Sequence, residues 1–253
     1  MGRVAVAFSG GVDSTFLLTV AFQTLAHQTI AITAISDIFP KREINEARQF
    51  TVSKGIRHIS FMIDAFSINN FAQNNENRCY LCKKNLFSGF LKIASEQEIS
   101  CLVEGSNVDD DNDYRPGMQA IRELNVNSPL RDAGLTKDEI RQLSREMDLP
   151  TWNKPSLACL ASRFPYGQTI TIEKIKAVES SEQLLFDLGF KQARVRCHGN
   201  LARIEVFADE MEKFMSADIR NKIYNKIKNV GFVYVALDLL GYRTGSMNET
   251  ITI

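Results

Sequence analysis

A short apolar run, Val4 to Phe8, passes through Ser9-Gly10-Gly11-Val12-Asp13-Ser14 directly into a second apolar run, Thr15 to Ala21. This reads as a buried strand, a glycine-rich turn and a helix. Glycines at such a junction can serve only to reach positive φ. Here each residue type also suits an anion. Adjacent glycines let backbone N–H groups approach a phosphate at a helix N-terminus, Ser9 and Ser14 add hydroxyl donors, and Asp13 can hold a magnesium ion. The turn lacks the Gly-Lys-Ser/Thr ending of a Walker A loop and does not follow the dinucleotide pattern Gly-x-Gly-x-x-Gly.

Further strands are expected at Thr29–Ser36, His58–Ile63 and Cys101–Glu104, separated by helical periodicity over Lys41–Ser53 and Lys83–Glu96. Alternating β and α predicts an α/β fold with a doubly wound, Rossmann-like parallel sheet. Thr136-Lys137-Asp138-Glu139 has a capping-box pattern and opens a helix to about Met147, stopped by Pro150. A loop with Pro155, Pro165 and Gly167 follows. Beyond it the pattern changes to a helix at Ile172–Leu188, strands at Ala193–Cys197 and Leu201–Val206, a helical stretch and a last strand at Phe232–Leu237. We therefore expect a nucleotide-binding domain over 1–150, an active-site linker over 151–167 and a smaller α+β domain over 168–253, serving substrate binding or oligomerisation.

Thirty basic residues balance thirty acidic ones, so no global positive field draws the chain to nucleic acid. The N-terminal stretch has no signal-peptide core and no apolar run reaches membrane-spanning length, so a cytoplasmic location is expected and no membrane contact. Five cysteines, two of them spaced as Cys79-x-x-Cys82, suit metal or redox work better than a disulfide framework. That pair can be a redox couple, half of a zinc site or part of an iron–sulfur cluster. Cys159, in the irregular loop, is a third candidate thiolate. Three thiolates leave one iron of a four-iron cluster open, whereas a structural zinc wants a fourth ligand, and His27, His58 and His198 show no ligand spacing. Cys101 and Cys197 fall in expected strands and read as small buried apolar residues.

The turn Ser9 to Ser14 resembles the PP-loop of N-type ATP pyrophosphatases, which implies cleavage of ATP to AMP and pyrophosphate with an adenylated intermediate. Together with Arg78–Phe87, Glu104–Gly117, Ala158–Gly167, Arg194–His198, Ala202–Glu205 and the stretch from Leu237 to Gly245, it resembles the LarE family of sulfur transferases along most of the chain. The resemblance implies adenylation of the carboxylates of a pyridinium-3,5-biscarboxylic acid mononucleotide and their conversion to thiocarboxylates, a step towards the nickel-pincer nucleotide. ATP and magnesium would be consumed, a sulfide source would be needed, and a homo-oligomer is suggested. Some members sacrifice one cysteine of the loop as sulfur donor and lack the Cys-x-x-Cys pair. This chain has the pair, and Cys159 stands one position beyond the sacrificial place, so the resemblance favours a [4Fe-4S] subtype with Cys79, Cys82 and Cys159 as ligands. Zinc, or a consumed Cys159, is the alternative.

On this reading Ser9, Gly10, Gly11, Asp13 and Ser14 hold ATP, with Ser36 at the end of the second strand. Arginines, with planar bidentate donors, are the expected partners of an acceptor carrying two carboxylates and a phosphate. Arg163, beside Cys159, is expected in the reaction centre, and Arg115, Arg194, Arg203 and Arg243 are the substrate candidates. Glu205 is a second magnesium candidate, although strand-end carboxylates are commonly structural. The acidic run Asp109, Asp110, Asp111 and Asp113 gains weight only from its place after a strand, at the sheet edge where open α/β folds bind ligands. Two rivals are a tRNA thiolation enzyme, which should show a basic stripe, and a non-catalytic nucleotide-binding protein with a metal site.

Overall fold

The computed structural model describes residues 2–112, 117–156 and 158–248. The chain divides into two compact units, one of residues 1–68 and 77–157, the other of 69–76 and 158–253.

The first unit is built on strands β1 (Val4–Ala7), β2 (Thr29–Ile35), β3 (Arg57–Met62) and β4 (Leu102–Val103). They form an all-parallel sheet in the order β3-β2-β1-β4. Its helices are α1 (Val12–Leu25), α2 (Lys41–Ser53), α3 (Arg78–Glu96), α4 (Gly117–Glu123), the one-turn α5 (Pro129–Asp132) and α6 (Lys137–Glu146). Successive strand residues point to opposite faces, and β1 shows the consequence. Val4 and Val6 pack with Phe16, Leu17, Phe50 and Ile140 of α1, α2 and α6, whereas Ala5 packs with Phe87, Phe90 and Ile121 of α3 and α4. Helices therefore cover both faces, and the expected doubly wound parallel sheet is found.

Beyond shifts of one or two residues at several element ends, two departures from the sequence expectation bear on the site. β4 is limited to Leu102–Val103, and the next backbone N–H, that of Glu104, donates to the Asn127 carbonyl at 2.9 Å on the side away from β1. α3 starts at Arg78 rather than Lys83, with the Leu81 N–H bonded to the Asn77 carbonyl at 3.1 Å. Cys79 and Cys82 are thus helical, three positions apart, a spacing that puts them on one helix face.

The second unit contains α7 (Ile172–Asp187), β5 (Ala193–His198), β6 (Leu201–Val206), α8 (Ala217–Asn229) and β7 (Tyr234–Leu237). β5 and β6 are an antiparallel hairpin, and β7 joins β6 in parallel, giving the small mixed sheet of an α+β unit. The excursion 69–76 is held to it by Asn74, fully buried at φ +57°, whose side-chain amide donates to the carbonyls of Phe164 and Pro165 at 3.2 and 2.6 Å. Cys197 is buried in β5 as expected. Cys101 lies just before β4 and is only half-buried, a departure from the buried-strand reading.

Candidate functional site

The glycine turn sits at the carboxyl end of β1, where parallel sheets leave room for ligands. Gly10 adopts φ +74°, and a side chain there would also press on Ala47 at 3.1 Å. Ser9 and Ser14 hydroxyls meet at 3.0 Å across the turn, and Ser14 Oγ donates to the Gly11 carbonyl at 3.2 Å. Helix α1 begins after Gly11 without a side-chain cap, so its first N–H groups keep their dipole for an anion. Gly105, after β4, lies so close to this helix start that a Cβ would stand 3.0 Å from the Ser14 nitrogen. Any side chain there would crowd the start of α1.

Two clefts open on the turn. One, of about 350 Å³, runs over the sheet end between Thr33, Phe39, Ile44, Leu86 and Phe87, with Glu104 in its wall. Its apolar sides suit a flat base. Ser36 is buried just past β2, and Thr33 and Ala34 form the cleft wall beside it. The other, of about 380 Å³, is polar and lined by Ser9, Gly11, Asp13, Asp109 and Lys137. Glu104 is buried and accepts from the hydroxyls of Ser106 and Ser128.

Residues that the sequence did not single out close the polar cleft. Lys137, at the start of α6, pairs its ammonium with Asp13. Asn107 Nδ2 donates to the other Asp13 oxygen at 3.3 Å. Lys154 donates to the Gly10 carbonyl at 2.9 Å and to Glu46 at 2.6 Å, bracing the turn from behind. The one available signal was the capping box, formed as expected by Thr136 and Glu139, which places Lys137 at a helix start but says nothing of the turn it reaches. Arg115 lies outside the described residues.

Of the three cysteines, Cys79 and Cys82 belong to the first unit and Cys159 to the second; all are half-buried. Arg78, buried at the first position of α3, donates to Cys79 Sγ at 3.4 Å. Among the described residues no group of three or more His, Cys, Asp or Glu stands ready for a metal.

The second unit places the expected arginines in an ionic network, with Arg163 and Arg194 buried and Arg203 and Arg243 partly exposed. Arg163 is 1% exposed, donates to both Glu182 oxygens at 2.8 and 3.0 Å and to the Ala158 and Cys159 carbonyls, and so fixes the backbone at Cys159. Burial works against the Glu182 charge, but Arg163, with Arg194 behind it, holds the carboxyl below its ordinary value. Arg194 stacks over Tyr242 at 5.6 Å, and burial with the nearby Arg163 pulls it down to about 10, still charged at neutral pH. Alternation along β5 and β6 puts Arg194, Arg196, Arg203 and Glu205 on one face. Glu205, fully buried, accepts from Arg196 at 2.7 Å, Arg203 at 2.9 Å and Ser246 at 2.9 Å. These are strong charge-assisted bonds that occupy both its oxygens. Arg203 and Arg243 share Asp238, at 3.3 and 3.1 Å. Among the described residues Glu182, Glu205 and Asp238 are thus each met by at least one arginine.

A parallel sheet, a glycine turn at the end of its first strand and paired apolar and phosphate-sized clefts define an α/β protein built to take a nucleotide. No family model matches the chain. It is 36% identical to pyridinium-3,5-bisthiocarboxylic acid mononucleotide synthase of Lactiplantibacillus plantarum over 251 residues, 99% of this chain and 90% of that protein. It is 39% identical to an uncharacterized protein of Synechocystis over 252 residues, 100% of this chain and 94% of that one. A more distant likeness, 24% over 160 residues, is to argininosuccinate synthase of Natronomonas pharaonis and covers 58% of this chain. The chain belongs to the LarE-like family of PP-loop ATP pyrophosphatases. Among the described residues no helix is long and apolar enough to cross a membrane.

Proposed function

We propose that this protein is a cytoplasmic, ATP-dependent sulfur transferase that converts carboxylates of pyridinium-3,5-biscarboxylic acid mononucleotide to thiocarboxylates, releasing AMP and pyrophosphate. The observation that carries the reading is the pair of clefts on the glycine turn, in a chain similar over its whole length to a synthase of the bisthiocarboxylic product. Ser9, Gly10, Gly11 and Ser14 grip the β- and γ-phosphates, and the base lies in the apolar cleft near Ser36. Asp13 supplies a hard carboxylate oxygen for magnesium. A substrate carboxylate attacks the α-phosphorus, pyrophosphate leaves, and sulfide displaces AMP from the acyl carbon. The chain contributes positioning and charge neutralisation rather than a side-chain nucleophile.

The arginines gathered on one face of β5 and β6 support an acceptor with two carboxylates and a phosphate, with Arg194, Arg203, Arg243 and Arg115 as its binding groups. Arg163 holds the loop of Cys159, and Glu205 sets the arginines rather than serving a metal, because three donors already take its oxygens. Thiolates at Cys79, Cys82 and Cys159 are the donor set that a [4Fe-4S] cluster takes, and such a cluster supplies an open iron to deliver sulfide. A homo-oligomer completes the proposal.

Anaerobically purified protein should contain about four irons per chain with labile sulfide, both lost in Cys79→Ala. With ATP, magnesium, sulfide and the biscarboxylic mononucleotide it should form a product heavier by the exchange of oxygen for sulfur. A protein with stoichiometric zinc or no metal would sink the cluster. Thiolation of tRNA in place of the mononucleotide would sink the substrate assignment.

A further inference from the structure

Lys137 comes to the phosphate turn from 124 residues away in the chain and pairs with the carboxylate that the proposed reaction needs for magnesium. The pairing oxygen is Asp13 Oδ2, while Oδ1 accepts from Asn107. Mg2+ demands hard oxygen ligands at short range and near-octahedral geometry, so a dication arriving at Oδ2 repels the ammonium that stands on the same oxygen. The pair is also not buried. The Lys137 side chain is 28% exposed and that of Asp13 22%, both on the polar cleft, and an ion pair in such surroundings is weak enough to be exchanged. The Lys137 backbone, by contrast, is anchored, its N–H donating to Asp109 at 2.8 Å inside a capped helix start. Its flexible four-carbon stem can turn without moving the helix.

We propose that Lys137 is a phosphate ligand held in reserve. It neutralises Asp13 in the free protein and passes to a pyrophosphate oxygen when Mg2+ takes the carboxylate. The free turn is thereby kept from presenting a bare aspartate to an incoming polyanion, and the ammonium arrives on the leaving group together with the metal. The inference rests on the nucleotide reading of the cleft and is independent of what is thiolated.

The test is calorimetric titration of the full chain with inorganic pyrophosphate, with and without Mg2+. Lys137→Met should weaken magnesium pyrophosphate at least about tenfold, roughly 1.4 kcal/mol, and Lys137→Arg should recover most of it. Asp13→Asn should abolish the gain from Mg2+ yet bind metal-free pyrophosphate at least as tightly as the wild type, because its ammonium is released. Unchanged affinity in Lys137→Met, or weaker metal-free binding in Asp13→Asn, overturns the exchange. A protein that follows the expected pattern but makes no thiocarboxylate overturns only the proposed reaction.

Discussion

Two sets of ion pairs, one in each unit, differ in how far water reaches them. In the first, Lys137–Asp13 on the polar cleft and Lys154–Glu46 behind the turn are ion pairs whose side chains are 14 to 42% exposed. In the second, Arg163–Glu182 and Arg196–Glu205 are sealed, with no side chain above 7%. Water reaches the first kind, so a ligand can break them at lower cost than the sealed pairs. The second kind cannot be split without leaving a bare buried charge. The first set is suited to exchange partners, and the second to hold a positive face and the Cys159 loop in one geometry.

The largest effect is expected at Glu182. Glu182→Gln strands Arg163 and removes the counter-charge of Arg194, and should lower stability by about 3–5 kcal/mol in urea unfolding. A loss below about 1 kcal/mol would erase the contrast between the units.

Acid should act through Glu182 and two further carboxylates of the second unit. Glu182, Glu210 and Asp238 are each opposed by burial, yet their cationic and N–H partners hold them below the ordinary values of 4.5 for Glu and 3.8 for Asp. A depressed folded value means that the stabilisation is complete above the unfolded value and is lost as pH falls through the folded one. Stability should therefore decline on acidification below the ordinary carboxylate range. Glu182→Gln should show a shallower decline in urea midpoint against pH, and parallel slopes would count against Glu182 as a main contributor. The smallest effect belongs to the exchangeable set: Lys137→Met should change unfolding free energy by less than about 1 kcal/mol while weakening pyrophosphate binding. A large stability loss there would make Lys137 a structural residue.

The local parts of this molecule were legible in the chain. Strand, glycine turn and helix follow one another without a gap, so the phosphate turn is a sequence object, and α2, α6 and β6 keep near-expected bounds because their periodicity or capping is self-contained. The start of α3 was not legible. Arg-Cys-Tyr-Leu-Cys mixes good helix formers, Arg and Leu, with the weaker Cys and Tyr, and the helix there extends a segment whose later turns seat Phe87 and Phe90 in the core. The segment 69–76 gives no linear sign that Asn74 will bond to carbonyls some ninety residues on.

Sequence by itself determined the parallel α/β class, the anion-shaped turn and the family, because each rests on residues adjacent in the chain or on the order of motifs along it. Tertiary structure alone decided which charges meet. Lys137 on Asp13, Lys154 on Gly10 and Arg163 on Glu182 are contacts between distant segments, and composition counts such residues without pairing them. Whether an arginine is a strut or a ligand, and whether an aspartate stands bare or paired, depends on burial and on the neighbour that folding brings, and neither is a property of the residue itself.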